Sequence, residues 1–273
     1  MLEALINPKE AENKPLHVFF VAILFTLVSI YTAQAVFSYY ASMLTVAFIT
    51  ILFVPLFQRL FVIEEEKERK IFRERMDYAS IFRRHEDIIK VYTAFFLGVV
   101  VATTTFLTLF PQPGESVFKL QMDTLAVMRG TGAVTFNMDN FFHYLSNNTS
   151  VLGFAFLISF FFGTGAVFIL SWNATVIGTF LYIGIKSMVE EGAPLGLAYL
   201  YGLPAGLLSI SIHGIPEILG YFFAGIAGGI LSVGVIRERI FSNEFRQVFR
   251  DSLIFLLSAE VLIVIGAFLE AFY

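Results

Sequence analysis

Within SISIHGIPEILGYFFAGIAGG, residues 209 to 229, a histidine and a glutamate stand four positions apart in an otherwise oily run. His213 and Glu217 share a face if the segment is helical, and Glu260 and Glu270 are the other acids inside apolar segments. A carboxylate at the centre of a bilayer costs about 2.5–3.5 kcal/mol, so such residues ordinarily face a bundle interior or water. At 1.5 Å per residue, Glu217 lies roughly 30 Å from Arg237, while Glu270 and Glu260 lie roughly 27 Å and about 12 Å beyond Ser252. The polar spot expected from this arithmetic comprises His213, Gly214, Glu217, Glu270, Glu260 and Asn173. Its role would be a polar cavity for transport or lipid handling, or plain capping of freed backbone groups. Imidazole and carboxylate also suit zinc, with His143 as a third ligand, but no HExxH pattern is present.

Such a spot needs helices that cross a membrane. The chain has 273 residues, 57% of them hydrophobic and 15% charged. Residues 15–58, 91–110, 151–185, 193–216 and 218–236 contain no Asp, Glu, Lys or Arg. About 18 such residues suffice to span a bilayer as a helix. The expectation is an all-α polytopic bundle forming one membrane domain over 1–273. It comprises an N-terminal helix pair (1–63), a cytoplasmic amphipathic helix (64–90) and a core (91–273) with an outer segment at 111–150.

Charge placement supplies the topology. Of the 18 basic residues, nine fall between Arg59 and Lys90 and four between Arg237 and Arg250. Both clusters belong on the cytoplasmic side. Apolar segments at 16–38, 40–60, 91–110, 151–171, 174–188, 213–236 and 252–273 make seven spans, with the N-terminus cytoplasmic and the C-terminus external. The segment 195–211, interrupted by Gly202-Leu203-Pro204, reads as a re-entrant half-helix. Gly214 would then allow a tight entry, and Glu217 would sit in a first helical turn. Trp172 and Asn173 are expected at the inner interface. Asn147-Asn148-Thr149-Ser150 holds two overlapping glycosylation sequons on the outer side, and short helices are expected near 115–128 and 140–146.

In the cytoplasmic segment, Phe72, Met76, Ala79 and Phe82 recur at helical steps beside Arg83 and Arg84. That stripe suits anionic headgroups or a docked protein. The chain has no cysteine, nucleophile elbow, phosphate loop or aspartyl pair. No catalytic set, cofactor or nucleic-acid partner is expected. Glycines spaced for close helix approach are compatible with a homo-oligomer.

One ordered set of residues runs through the core. It is Asn147-Asn148, Gly163 with Gly165, Asn173 with Gly178, His213-Gly214-Ile215-Pro216-Glu217, Ala224 to Gly229, and a terminal Phe268-Leu269-Glu270-Ala271-Phe272. Over roughly residues 85–273 this resembles the stage II sporulation protein M family of archaeal and bacterial integral membrane proteins. The resemblance implies a founder that works with cell-wall hydrolases during engulfment, and association with cytoplasmic AAA-type ATPases; it supplies no reaction. The leading expectation is a non-enzymatic scaffold, channel or transporter-like component in envelope remodelling, with lipid, ATPase or envelope-protein partners. The alternative is a transporter or lipid-handling protein with an outward polar cavity at His213, Glu217 and Glu270. An intramembrane metal-dependent hydrolase comes third.

Overall fold

A computed structural model of the chain describes residues 8–74, 83, 85–128, 138–240 and 242–272. Among them there is no strand. Ten α-helices follow one another: α1 (Pro8–Asn13), α2 (Pro15–Val36), α3 (Ala41–Glu74), α4 (Glu86–Leu109), α5 (Pro111–Val117), α6 (Lys119–Met128), α7 (Met138–Phe162), α8 (Ala166–Glu190), α9 (Leu195–Arg237) and α10 (Asn243–Glu270). Seven of these, α2, α3, α4, α7, α8, α9 and α10, contain windows long and apolar enough to cross a bilayer. The fold is an all-α bundle. The described connections from α7 to α8 and from α8 to α9 are short turns, as expected for antiparallel neighbours.

An aromatic spine runs through the bundle. Phe53 and Phe57 of α3 meet Phe95 and Tyr92 of α4, with ring centroids 4.6 and 4.5 Å apart. Tyr92 continues to Phe222 of α9 at 5.5 Å, and all five side chains are buried. Between apolar helices in lipid, the hydrophobic effect offers little, so dense side-chain contact of this kind carries association.

Three expected boundaries move. First, residues 195–211 are not a separate half-helix: α9 runs unbroken for 43 residues through Pro204 and Pro216. Each internal proline removes one ladder bond without ending the helix. Gly202 and Gly206 explain the rest, because a methyl at either would press on Ile185 or Leu181 at 2.9 and 2.5 Å. The glycines form a face on which the first half of α9 lies along α8. At 1.5 Å per residue α9 is about 64 Å long, twice the depth of a hydrocarbon layer.

Second, Trp172 and Asn173 lie inside α8 and do not mark an interface turn. The chain reverses ten residues earlier at Gly163-Thr164-Gly165, where Gly163 has φ of +74°, a conformation glycine adopts without strain. The expected short helix at 140–146 is the opening of α7, which carries its polar first turns directly into the span.

Third, residues 64–74 do not begin a separate helix but prolong α3, and α4 begins at Glu86. Of the apolar stripe, Phe72 lies on this prolongation, while Met76, Phe82 and Arg84 fall outside the described residues; Arg83 is exposed.

Candidate functional site

Helices α7, α9 and α10 converge on Glu217. The Asn148 amide of α7 donates to the Glu217 carboxyl at 2.9 Å. The Asn148 carbonyl oxygen in turn accepts from the Tyr221 hydroxyl and from the Asn147 amide, each at 3.1 Å. On its other side Glu217 packs against Gly266 of α10, and the Glu270 carboxyl stands beside it one turn further along. One residue along α7, the Thr149 hydroxyl donates to Glu260 at 2.8 Å. Asn148 is buried, and the three acids are half-buried.

Helix geometry dictates this assembly. Glu217 and Tyr221 are one turn apart on α9 and present two polar groups to a single amide. Asn148 can both donate and accept, so it joins a carboxyl and a phenol without leaving either short. Gly266 of α10 makes room: a methyl there would lie 2.6 Å from Glu217 Cγ and 3.2 Å from the His213 carbonyl oxygen.

Neighbouring carboxyls can hydrogen-bond to each other only when one of them carries a proton, because two carboxylates offer only acceptors. No Lys or Arg is bonded to Glu217, Glu260 or Glu270 among the described residues. No group of three or more His, Cys, Asp or Glu side chains able to hold a metal occurs among the described residues either.

The expected site residues are thus partly gathered. Glu217 and Glu270 stand side by side, and Glu260 joins the same helix trio through Thr149. Glu260 lies eight residues beyond Ser252 on α10, about 12 Å along the helix, and ten residues before Glu270. His213 is half-buried, one turn before Glu217 on the same helix. Gly214 does not open a helix, and Glu217 does not occupy a first turn, since both lie mid-way along α9. The helix dipole therefore supplies Glu217 with nothing; the Asn148 amide does. Asn173 stands apart: its amide donates to the Ile169 carbonyl of its own helix at 2.8 Å.

Three participants escaped the sequence reading: Asn148, Thr149 and Tyr221. The signal for the first two was present as the uncharged polar quartet Asn147 to Ser150 at the mouth of an apolar run. As sequence it reads as two sequons on the outer side, whereas Asn148 is 6% exposed and its amide is committed to Glu217.

A second polar cluster lies at the end of α3. Lys67 Nζ reaches Glu64 at 2.9 Å, Glu12 at 3.0 Å and Asp87 at 3.3 Å, while His85 Nδ1 sits 2.6 Å from Glu64. Arg237 bridges Glu65 and Glu66 at 2.9 and 3.0 Å. Glu12, on α1 ahead of the first span, has its carboxyl pushed above the ordinary range by burial, against the opposing pull of Lys67. A run such as EEEKERK reads as solvated, yet Glu64 and Glu65 are almost wholly buried.

Against known proteins, the model of one family, described as stage II sporulation protein M, matches residues 88–273. That stretch covers nearly all of α4 and everything after it, including every helix of the Glu217 site. No curated protein and no solved structure matches the chain.

Proposed function

The chain belongs to the stage II sporulation protein M family, and from its acid site we propose that it is a transporter-type membrane protein with a proton-binding step at Glu217 and Glu270. The observation that carries this reading is the Glu217 carboxyl of α9, held by the Asn148 amide and packed against Gly266 of α10 beside Glu270, with no Lys or Arg bonded to either acid among the described residues. One shared proton holds the middle of α9 to the end of α10. Losing it would set two like charges against each other and favour separation of α9 from α10. Tyr221 and Asn148 keep Glu217 oriented in either state. Glu260 and Thr149 extend the polar surface along α7.

The sidedness that suits this reading places the N-terminus and the Arg-rich ends of α3, α9 and α10 in the cytoplasm. Seven crossings then leave the C-terminus and Glu270 toward the exterior. Support comes from the crowding of basic residues at 59–90 and 237–250.

A hydrophobic carbodiimide tests the proposal, since it modifies protonated carboxyls in apolar surroundings. Mass spectrometry of the labelled protein in membranes is expected to place the adduct on Glu217 or Glu270, and Glu217→Gln with Glu270→Gln should abolish it. Labelling confined to other acids, or unchanged in the double variant, would overturn the proposal.

A further inference from the structure

Far from the acid site, α3, α4, α6 and α8 enclose a second polar layer made only of neutral oxygens and one amide. Threonines within helices ordinarily return their hydroxyl to the carbonyl four residues back. Thr104 and Thr108 of α4 and Thr179 of α8 do so, at 2.9, 2.8 and 2.8 Å. Thr103 of α4 and Thr45 of α3 do not. Each is 0% exposed, and neither hydroxyl has a hydrogen-bond partner among the described residues.

Gln121 of α6 is the third such group. Its amide nitrogen donates to the Thr175 hydroxyl at 3.2 Å, while its carbonyl oxygen, also fully buried, has no partner among the described residues. Exchanging the amide's two ends would leave its nitrogen unmatched instead, so one end needs a further partner in either assignment.

Helix register brings these groups to one level. Thr104 donates to the Gly178 carbonyl at 3.1 Å, and Thr103 packs its Cβ against Gly178, where a methyl would come within 2.7 Å. Gly178 lies one turn from Thr175, the partner of Gln121. Ser42 of α3 donates to the Val117 carbonyl and accepts from the Leu120 amide, next in the chain to Gln121. Thr45 is one turn further along the same face of α3.

We infer that Thr45, Thr103 and Gln121 line a buried hydration site in which ordered water joins α6 to α3, α4 and α8. A cation is a poor occupant, because no carboxylate is bonded to any of these groups and an uncompensated charge inside a membrane bundle is costly. An apolar occupant would leave three polar atoms unmatched, each at a desolvation cost that water removes. Phe118, three residues before Gln121, and Leu107, four residues after Thr103, are themselves buried.

The sign of a stability change tests this. Thr103→Val and Thr45→Val keep the shape and remove the hydroxyl. If water is bound, each variant of the full chain in detergent loses roughly 2–4 °C of unfolding temperature, the shift that one lost hydrogen bond gives in a protein of this size. If the site is dry, the same swaps leave the temperature unchanged or raise it, and the inference falls. Radiolytic labelling of the unaltered protein in 18O water is independent of any variant. Ordered water beside Phe118 should mark that ring with the heavy isotope although it is 0% exposed; an unmarked Phe118 beside a marked, exposed Tyr39 would overturn the inference even if a variant fails to fold.

Discussion

Two clusters of acids, one almost wholly buried and one half-buried, differ in their partners. At the end of α3, Glu64 and Glu65 are each matched by a cation, Lys67 with His85 for one and Arg237 for the other. Between α7, α9 and α10, Glu217, Glu260 and Glu270 meet an amide, a threonine and one another. The first arrangement gives each of these two acids a cation within the protein and ties α1, α3, α4 and α9 into one end of the bundle. The second can cancel its charge only by taking up a proton or another positive species. Burial of an acid is therefore no guide to its role until its partners are named.

Lys67→Ala should have the largest effect. It leaves the nearly inaccessible Glu64 short of its ammonium, and breaking a buried pair from one side costs about 3 kcal/mol. Thermal unfolding of the purified protein checks this, and a loss below that of any acid-site variant would erase the contrast. Asn148→Leu comes next at about 2 kcal/mol, because Glu217 and Tyr221 lose a shared partner together.

Glu217→Gln should cost less than about 1 kcal/mol, since an amide can still bond both Asn148 and Glu270. The comparison predicts that this mild substitution nevertheless abolishes carbodiimide labelling at position 217 and proton-linked function. A destabilisation as large as that of Lys67→Ala would show the acid site to be structural.

The smallest effect concerns Glu115 of α5, outside the spans. The Lys186 ammonium and the Tyr182 hydroxyl, at 2.8 and 2.7 Å, hold its carboxyl below the ordinary carboxylate range. A folded-state value below the unfolded one adds stability at neutral pH that is lost as pH falls through the folded value. Glu115→Gln should flatten that acid limb by under about 1 kcal/mol, as expected for a pair more than a third exposed. Unfolding temperature against pH, wild type beside variant, measures the difference.

Much of this was legible in the sequence and some was not, for physical reasons. Uncharged runs mark the seven helices long and apolar enough to cross a membrane, because desolvation of charge dominates hydropathy. Helix ends were less legible. Proline and glycine in α9 looked like a break, yet Gly202 and Gly206 serve contact with α8, and only packing distinguishes the two uses. Likewise the polar Trp172-Asn173 pair attracted a turn that Gly163 in fact makes. For the site, the rarity of acids in apolar runs identified Glu217, Glu260 and Glu270. Their hydrogen-bond partners on α7 were hidden, since Asn148 and Thr149 lie about 70 and 110 positions away in the chain. Pairing across such separations is a property of the fold.

Infrared difference spectroscopy between the wild-type protein and Glu217→Gln or Glu270→Gln addresses the shared proton most directly. A protonated carboxyl absorbs in a window free of amide and carboxylate bands. The expected result is one such band in the wild type that is lost or shifted in each single variant, because both residues hold the same proton. Spectra in which neither substitution alters any protonated-carboxyl band would contradict a proton bridging α9 and α10.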